Sequence, residues 1–353
     1  MDTPSMIYLR ADGNKQIASG HLMRCLTIAR ALRQKDILPV FLVSDNDSIE
    51  MLQNILTPEE KASHAFPVIH LQTDYTDLEQ ELPVLEQILR TQPPECLLVD
   101  SYFATAGYFE ALQGLCPIAY IDDLQAFDAP LDLVINYDLA PDTSFYQKSR
   151  RVLAGGAYTP LREQFSLNQY HVWGQVRDVL ISTGATDPWY FAANLVTRLL
   201  KDPDWKDVTF HVITGSMHQS REKLLALAAS DERVALHENV RDMASLMKEC
   251  DLAVSAGGTT LFELCAIGVP AVSFAFADNH LPGIRDFAAA DLVPTLGDIR
   301  TDETFIDHAV QVLNDLAADR SRRADQSSRM RMAIDGAGAD RIAGALLKLK
   351  SRK

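Results

Sequence analysis

Cysteine is scarce in this chain of 353 residues, which has five, with no C-x-x-C pair among them. An odd number of scattered cysteines does not indicate a disulfide framework, and without paired spacing a structural zinc site is not indicated either. We therefore predict buried free thiols in a reducing compartment, and no bound metal ion or other cofactor.

Long apolar runs are also missing. No run reaches the ~18 residues that are needed to span a bilayer. The first residues lack the basic segment followed by an apolar stretch that is typical of a signal peptide. These observations predict a cytoplasmic protein without a membrane span. We expect a monomer or a weak oligomer.

Basic residues are outnumbered, because 33 Lys and Arg stand against 48 Asp and Glu, for a formal net charge of −15. Proteins bind the phosphate backbones of nucleic acids through fields of Lys and Arg, so this balance argues against a nucleic-acid partner. It does not exclude a small anionic ligand, because backbone N–H groups can hold one phosphate whatever the net charge of the protein.

The length of the chain favours two domains. Short apolar strands alternate with segments of helical periodicity in the first half, and the same alternation resumes after an irregular stretch around residues 153–174. This pattern predicts an α/β fold of two Rossmann-like domains, residues 1–160 and 175–353, with parallel sheets facing a cleft. The predicted strands are Met6–Leu9, Val40–Ser44, Val68–Leu71, Cys96–Asp100, Ile118–Asp122, Leu133–Asn136, Val179–Ser182, Val208–Thr214, Val234–His237, Leu252–Ser255 and Ala271–Phe276.

Two helical segments carry further expectations. Leu22, Cys25, Leu26, Ala29 and Leu32 recur at three- and four-residue spacing, which predicts the buried face of the first helix. At the other end of the chain, residues 321–353 are rich in Arg and Lys and are predicted to form a solvated helix.

The first candidate site is the loop Ala18-Ser19-Gly20-His21, which joins the first strand to the first helix. Small residues there let the backbone approach a ligand, and helix N-terminal amides favour an anion. A histidine in the first turn can remove a proton from water near neutral pH, and Asp12 is a candidate to orient its ring. Two other readings stay open: a dinucleotide-type loop, and a histidine that only caps the turn.

The second candidate site follows the strand Leu252–Ser255. Gly257 and Gly258 let the backbone approach a phosphate, while Thr259 and Thr260 offer hydroxyl donors at a helix N-terminus. Glu263, assigned to the first turn of this helix, is a candidate to accept hydrogen bonds from ribose hydroxyls. The alternative is that threonine with an early glutamate serves helix capping only.

Other polar residues stand where predicted strands end. The turn Ser182–Asp187, which contains Gly184, is a second candidate for holding a diphosphate, or else a capping sequence before Pro188, which would start a helix. Tyr102 follows another strand, and Asp278 and Asn279 follow Ala271–Phe276. His280 is a weaker acid/base candidate, and adjacent Asp122 and Asp123 are weak evidence for a metal. The other histidines, including His218, are assigned to surface or packing positions.

Several of these motifs together resemble a known family, the UDP-sugar hydrolases of the pseudaminic acid pathway, which have the two-domain glycosyltransferase-B fold. The Gly-Gly-Thr loop with its glutamate is shared more widely, with lipid II-forming N-acetylglucosaminyltransferases. In chain order the motifs are Arg10-x-Asp12, Ser19-Gly20-His21-x-x-Arg24, Val99-Asp100-Ser101-Tyr102, Ile121-Asp122-Asp123, Gly156-x-Tyr158-x-x-Leu161-Arg162-x-x-Phe165, Ser255-Ala256-Gly257-Gly258-Thr259 and Ala277-Asp278-Asn279.

The resemblance implies roles for individual residues. His21 would be the base that activates water, with Tyr102 and Asn279 at other active-site positions and the Gly257–Thr259 loop with Glu263 at the UDP site. The family needs no metal. Further residues assigned to substrate or UDP binding are Ser19, Gly20, Arg24, Gly184, Thr260 and Asp278. Two departures stand out: Ala18 replaces a family glycine, and His280 stands where the family has glutamine.

The predicted activity is hydrolysis of a UDP-sugar at its anomeric carbon, with inversion, to give UDP and the free sugar. By the resemblance the substrate is UDP-2,4-diacetamido-2,4,6-trideoxy-β-L-altropyranose, an intermediate of nonulosonate biosynthesis for bacterial cell-surface glycans and flagellin. Two alternatives remain. A glycosyltransferase of the same fold would use an alcohol in place of water, and a non-catalytic binding protein would hold the nucleotide sugar without turnover.

Overall fold

The computed structural model describes residues 5–166, 169–184 and 186–349. The chain divides into two compact units. The first comprises Met1–Arg162 together with Ala337–Lys353, and the second comprises Glu163–Gly336. Each unit is built on one parallel sheet with helices packed against it, so the predicted α/β class with two Rossmann-like units is confirmed.

The first unit contains a seven-stranded sheet in the order β3-β2-β1-β4-β5-β6-β7. Its strands are β1 (Met6–Ala11), β2 (Leu38–Val43), β3 (Val68–His70), β4 (Cys96–Asp100), β5 (Ile118–Ile121), β6 (Leu133–Asn136) and β7 (Val152–Ala154). Its helices before the second unit are α1 (Gly20–Arg33), α2 (Asn46–Ile55), α3 (Pro58–Ala62), α4 (Leu82–Thr91) and α5 (Ala106–Ala111).

The second unit contains a six-stranded sheet in the order β10-β9-β8-β11-β12-β13. Its strands are β8 (Asp178–Ser182), β9 (Thr209–Thr214), β10 (Val234–Glu238), β11 (Leu252–Ala256), β12 (Ala271–Ala275) and β13 (Thr295–Asp298). Its helices are α6 (Phe191–Leu199), α7 (Arg221–Ser230), α8 (Met243–Glu249), α9 (Thr259–Ile267), α10 (Leu281–Ala289), α11 (Phe305–Ala318) and α12 (Arg320–Ala333). The last helix of the chain, α13 (Gly338–Leu346), belongs to the first unit.

Both faces of the first sheet are buried, as apolar strands of a parallel sheet require. Ile7 and Leu9 belong to one apolar cluster, with α1 and α13, whereas Tyr8 belongs to the other, with α4 and α5. All five residues of the predicted apolar face of α1 are fully buried, which confirms that helix and its orientation. The five cysteines are buried and free, as predicted.

The C-terminal residues correct the prediction in two ways. The sequence placed them in the second domain as a solvated helix, but α13 packs against α1 and fully buries Ile342 and Leu346 in the core of the first unit. The preceding helix, α12, is not fully solvated either. It buries Arg323, whose guanidinium donates to backbone carbonyls at Leu316 and Trp173. The side chain of Arg323, which was predicted to face solvent, is therefore buried and hydrogen-bonded to main-chain carbonyls.

Two strands and one helix start also differ from the prediction. The short strands β7 and β13 were not expected. Pro188 was predicted to start a helix, but α6 begins at Phe191, because Tyr190 takes a left-handed conformation and Asp187 accepts hydrogen bonds from the first amides of α6. Among the described residues, no helix is long and apolar enough to cross a membrane.

Candidate functional site

The two candidate loops of the first unit meet where its strand order reverses. Strands β1 and β4 are neighbours although 84 residues lie between the end of β1 at Ala11 and the start of β4 at Cys96. Beyond their carboxyl ends lie the loop that leads into α1 and the residues that follow Asp100. Ligands of open parallel sheets bind outside such a reversal point, so the strand order supports this position for chemistry.

The loop before α1 has a defined conformation. Asn14 is buried and its side chain accepts hydrogen bonds from the amides of Gln16 and Ile17, and a single bridge pairs Asn14 with Ala18. Ala18 has a φ of +57°, in the left-handed region that the family glycine would occupy more easily. Helix α1 then begins at Gly20 without a side-chain cap from Ser19, so His21 is its second residue.

The left-handed conformation of Ala18 predicts how a substitution there changes the stability of the protein. Replacing Ala18 with glycine is expected to raise the free energy of unfolding by about 0.5 kcal/mol, because relief of left-handed strain exceeds the extra entropy of glycine in the unfolded chain. Urea unfolding of the two proteins measures the difference. The matched control is Ala62→Gly in an exposed helical turn, which should lower stability. A fall of similar size for Ala18→Gly would contradict the strain.

His21 is held by an aspartate that the sequence did not single out. The Nδ1 atom of His21 lies 2.6 Å from Oδ1 of Asp100, and both side chains are buried. Tyr102 packs edge-on against the imidazole, with ring centroids 4.4 Å apart. Among the described residues, Nε2 of His21 makes no hydrogen bond. A carboxylate on Nδ1 fixes the tautomer in which Nε2 has a lone pair to accept a proton.

Asp12 does not orient His21, and that prediction is wrong. Its carboxylate accepts hydrogen bonds from the amide of Ser44, from the hydroxyl of Ser48 and from Arg10. Arg10 is fully buried and also binds Glu81 at 2.7–2.9 Å. Asp12 therefore belongs to a buried network that fastens the end of β1 to the end of β2.

Arg24 was predicted to bind substrate, but its guanidinium is already occupied. It donates to both oxygens of Asp100, to both oxygens of Asp123 and to the hydroxyl of Tyr137 at 2.6 Å. These five bonds account for all five N–H groups of an arginine. Nη2 also lies 3.0 Å from Nδ1 of His21. Because both hydrogens of Nη2 already point to carboxylate oxygens, Nη2 does not donate to Nδ1, and the Nδ1–H of His21 donates to Asp100. The structure thus gives Arg24 the role of counter-ion.

These charges set the ionisation of Asp100. Its burial opposes the charged form, but the positive charge of Arg24 and the contact with His21 outweigh that effect and lower the pKa of Asp100 to about 2. The carboxylate is therefore ionised throughout the physiological range. By contrast, burial raises the pKa of the neighbouring Tyr102, with a contribution from Asp123. This hydroxyl is 3.5 Å from Asp123 and stays protonated.

In the second unit, two glycine loops again leave neighbouring strands at the reversal point, after β8 and β11, where Ser182 pairs with Ser255. Gly258 has a φ of +150° and a ψ of −168°, a conformation open essentially only to glycine. It precedes α9, which has no side-chain cap. Gly257 has a packing role, because a Cβ there would lie 2.9 Å from Cβ of His280.

The remaining predicted residues of this unit have distinct surroundings. Thr259 is exposed and Thr260 is half-buried at the start of α9, but Glu263 lies at the fifth helical position, beyond the first turn to which it was assigned. Asp278 is bonded to Arg300 at 2.6 Å, and Asn279 is exposed beside it. Gly184 is exposed in the loop after β8, with a φ of +78°.

The two helix N-termini of these loops differ in what they can bind. The carboxylate of Asp187 accepts hydrogen bonds from the amides of Phe191 and Ala192 at 2.8 and 3.0 Å, so the start of α6 already has an anion. The cap position of α9 is Gly258, which has no side chain, and in the described part of the chain α9 has no side-chain cap hydrogen bond. This contrast favours the Gly257–Thr259 loop over the start of α6 as a phosphate site.

The described residues include no group of three His, Cys, Asp or Glu side chains arranged to hold a metal ion. Asp122 and Asp123, weak candidates from the sequence, point to other partners. Asp122 accepts hydrogen bonds from the amides of the following turn and from Tyr146, whereas Asp123 binds Arg24. Asp122 therefore has a structural role, whereas Asp123 belongs to the charged groups around His21.

The fold defined by these two units is the glycosyltransferase-B type, and comparison with known structures agrees. The chain is similar to the crystal structure of Acinetobacter baumannii MurG, with a TM-score of 0.69 over 98% of this chain and 100% of that one, at 14% identity. Within the second unit, residues 190–333 match the glycosyltransferase family 28 C-terminal domain.

Two curated relatives extend this similarity. The spore coat polysaccharide biosynthesis protein SpsG of Bacillus subtilis is 25% identical over 348 residues, which cover 96% of this chain and 97% of that protein. The UDP-N-acetylglucosamine--N-acetylmuramyl-(pentapeptide) pyrophosphoryl-undecaprenol N-acetylglucosamine transferase of Xanthomonas campestris pv. campestris is 33% identical over 147 residues. That second match covers 39% of this chain and 34% of the transferase.

Proposed function

We propose that this protein is a UDP-sugar hydrolase of glycan biosynthesis, with His21 as the general base. The observation that carries the proposal is the contact of His21 with Asp100, at 2.6 Å, beyond the carboxyl ends of β1 and β4. A histidine fixed through Nδ1 by an ionised carboxylate is well suited to accept a proton from water at Nε2.

The nucleotide half of the proposal rests on the second unit. Its match to a glycosyltransferase family 28 C-terminal domain, together with the uncapped start of α9 behind Gly258, supports binding of a UDP diphosphate there. In the proposed complex Thr259 and Thr260 donate to phosphate oxygens, Glu263 accepts from the ribose, and Asn279 contacts the sugar. The Xanthomonas relative is named as a UDP-N-acetylglucosamine-dependent transferase, and this similarity supports a UDP-linked amino sugar.

The proposed reaction has one bond-forming and one bond-breaking event. Water attacks the anomeric carbon as the bond from that carbon to the diphosphate oxygen breaks, and UDP leaves with the electron pair. Nε2 of His21 takes the proton of the attacking water. Amides at the start of α9 and the hydroxyl of Thr259 stabilise the charge that builds on the diphosphate. Attack opposite the leaving group inverts the configuration at that carbon.

The finer assignment of the substrate rests on the motifs alone. We propose a UDP-linked 2,4-diacetamido-2,4,6-trideoxy hexose, because the Ser19-Gly20-His21-x-x-Arg24 and Asp100-Ser101-Tyr102 segments resemble hydrolases that act on it. The Bacillus relative is named for spore coat polysaccharide biosynthesis, which supports a role in glycan biosynthesis.

A second candidate is a glycosyltransferase, and it is favoured by the family 28 match and by the Xanthomonas transferase. The two activities differ in the attacking hydroxyl, so one experiment separates them. The protein is incubated with the proposed substrate and with UDP-N-acetylglucosamine, with and without alcohol acceptors, and UDP release is followed. Release without an acceptor supports the hydrolase. Release only with an acceptor indicates the transferase, and binding without release indicates a non-catalytic protein.

The proposed nucleotide site predicts the effect of one substitution. Gly258→Ala is expected to lower the affinity for UDP about tenfold or more, because a Cβ at a φ of +150° forces the loop to move before α9. Isothermal titration with UDP measures this change. Gly344→Ala, within α13 and with open space around its Cβ, is the control and should leave UDP binding unchanged. Wild-type affinity in the Gly258 variant would argue against the site.

A further inference from the structure

A buried polar cluster lies beneath the glycine loop that follows β8. His218, in the loop after the neighbouring strand β9, is 3% exposed, and its Nε2 lies 2.9 Å from Oγ1 of Thr183. In the same two loops, the hydroxyl of Ser220 donates to Asp187. The sequence had assigned His218 to surface or packing, yet its ring is buried and bonded to the residue before Gly184.

The protonation of His218 follows from its surroundings. Burial lowers the pKa of His218, against the opposing effect of Asp187, so the ring is neutral at physiological pH. A neutral imidazole has one N–H, and Nδ1 has no partner among the described residues. Placing the hydrogen on Nε2 avoids leaving a buried N–H unsatisfied, and makes Nε2 the donor to Thr183.

That tautomer determines what the threonine hydroxyl can do. A hydroxyl has one hydrogen to donate and two lone pairs. When Thr183 accepts from His218, its own hydrogen points to another acceptor. Asp187 already occupies the amides at the start of α6. The described groups of this loop that remain for an anion include the hydroxyl of Thr183, a residue that is 1% exposed, and the exposed backbone at Gly184.

We propose that His218 is a positioning residue for the diphosphate of the nucleotide ligand, acting through Thr183. Donation from His218 Nε2 turns the Thr183 hydroxyl hydrogen toward a phosphate oxygen next to Gly184. This inference rests on the proposed function, because it requires that the second unit binds UDP. It adds a residue from the loop after β9 to a site otherwise built from the loops after β8 and β11.

The experiment compares two probes, UDP and uridine, which differ only in the diphosphate. Their dissociation constants are measured by titration for wild type, His218→Ala, Thr183→Val and the double variant. Each single variant is expected to bind UDP roughly tenfold more weakly, as for loss of one hydrogen bond to a charged group. Uridine affinity should not change. The double variant should be no weaker than either single one, because the two residues act through one contact.

His218→Gln keeps an N–H donor at the end of its side chain and should recover part of the UDP affinity, which a packing role alone would not produce. Met217→Ala, at an exposed neighbouring position, is the matched control and should bind as wild type. If His218→Ala does not fold, the nearly isosteric Thr183→Val carries the comparison.

Equal losses for UDP and uridine, additive losses in the double variant, or unchanged UDP binding in both single variants would overturn the assignment. A wild-type protein that binds neither probe would instead contradict the proposed function itself. The two failures are therefore distinguishable from the wild-type titration alone.

Discussion

His21→Ala is expected to lower the turnover number for UDP release about 10²–10⁴-fold, the usual contribution of a positioned general base. UDP affinity should change little, because the diphosphate is assigned to the loops of the second unit. The measurement is continuous UDP release at saturating UDP-sugar, combined with a titration of UDP. The control is His308→Ala, at an exposed position on α11, which should leave both quantities unchanged.

A variant that retains more than a tenth of the wild-type rate would remove His21 from the mechanism. Loss of UDP binding together with turnover would point to a different conclusion, namely that this side chain holds the ligand. The two outcomes are separated by the same pair of measurements.

Asp100→Asn is expected to lower turnover by a similar factor, about 10²–10⁴-fold, since an amide no longer fixes the Nδ1 proton or stabilises the imidazolium that forms. It should also destabilise the fold by about 3 kcal/mol or more, because it removes a buried partner of Arg24. Because Asp123 remains as a second partner of Arg24, we expect a loss close to about 3 kcal/mol rather than a larger one. UDP release and urea unfolding measure the two effects.

The pH dependence distinguishes this role from simple packing. Because the pKa of Asp100 is lowered to about 2, its contribution to stability is fully present above the ordinary aspartate pKa of ~3.9 and is lost as the pH falls toward 2. The stability gap between wild type and Asp100→Asn should therefore be constant from about pH 5 to about pH 8 and shrink at about pH 3. A gap that stays constant down to pH 3 would contradict the ionised pair.

The control for both effects is Asp132→Asn. Asp132 is another buried aspartate of the first sheet, but it accepts a hydrogen bond from the amide of Ile118, at the opposite ends of the strands. Its variant should lose stability while UDP release by the folded protein stays at the wild-type rate. Equal loss of turnover in the two variants would mean that general destabilisation, rather than orientation of His21, explains the effect.

The fold was largely predictable because most of its strands are apolar runs and its helices have a clear periodicity. The predicted positions of β4 and β6 agree with the structure to the residue. The short strands β7 and β13 escaped because three or four residues give no periodic signal. The assignment of α13 failed because the Arg and Lys content of residues 321–353 was taken to indicate a solvated helix, although Ile342 and Leu346 are fully buried. Even an apolar stripe predicts only that a helix is buried, and not which sheet it covers.

The site shows the same division between local and long-range information. His21 stood out from its own loop, whereas its partner was sought nearby in sequence and Asp12 was chosen. Asp100 lies 79 residues away and reaches His21 because β4 pairs with β1. In the sequence, Asp100 was noted only as part of a motif and was given no role. The signal that could have pointed to it is the reversal of strand order that is common in doubly wound sheets, because it brings the ends of β1 and β4 together.

The position of α13 has a consequence for how the chain is made. The first unit is built from two separate segments of the chain, so its core lacks Ile342 and Leu346 until the ribosome has synthesised the whole of the second unit, which lies between them. The second unit has all of its residues available earlier and can complete its fold first. Until α13 is synthesised, the apolar surface of α1 that it covers is exposed in the nascent protein and is open to non-native contacts.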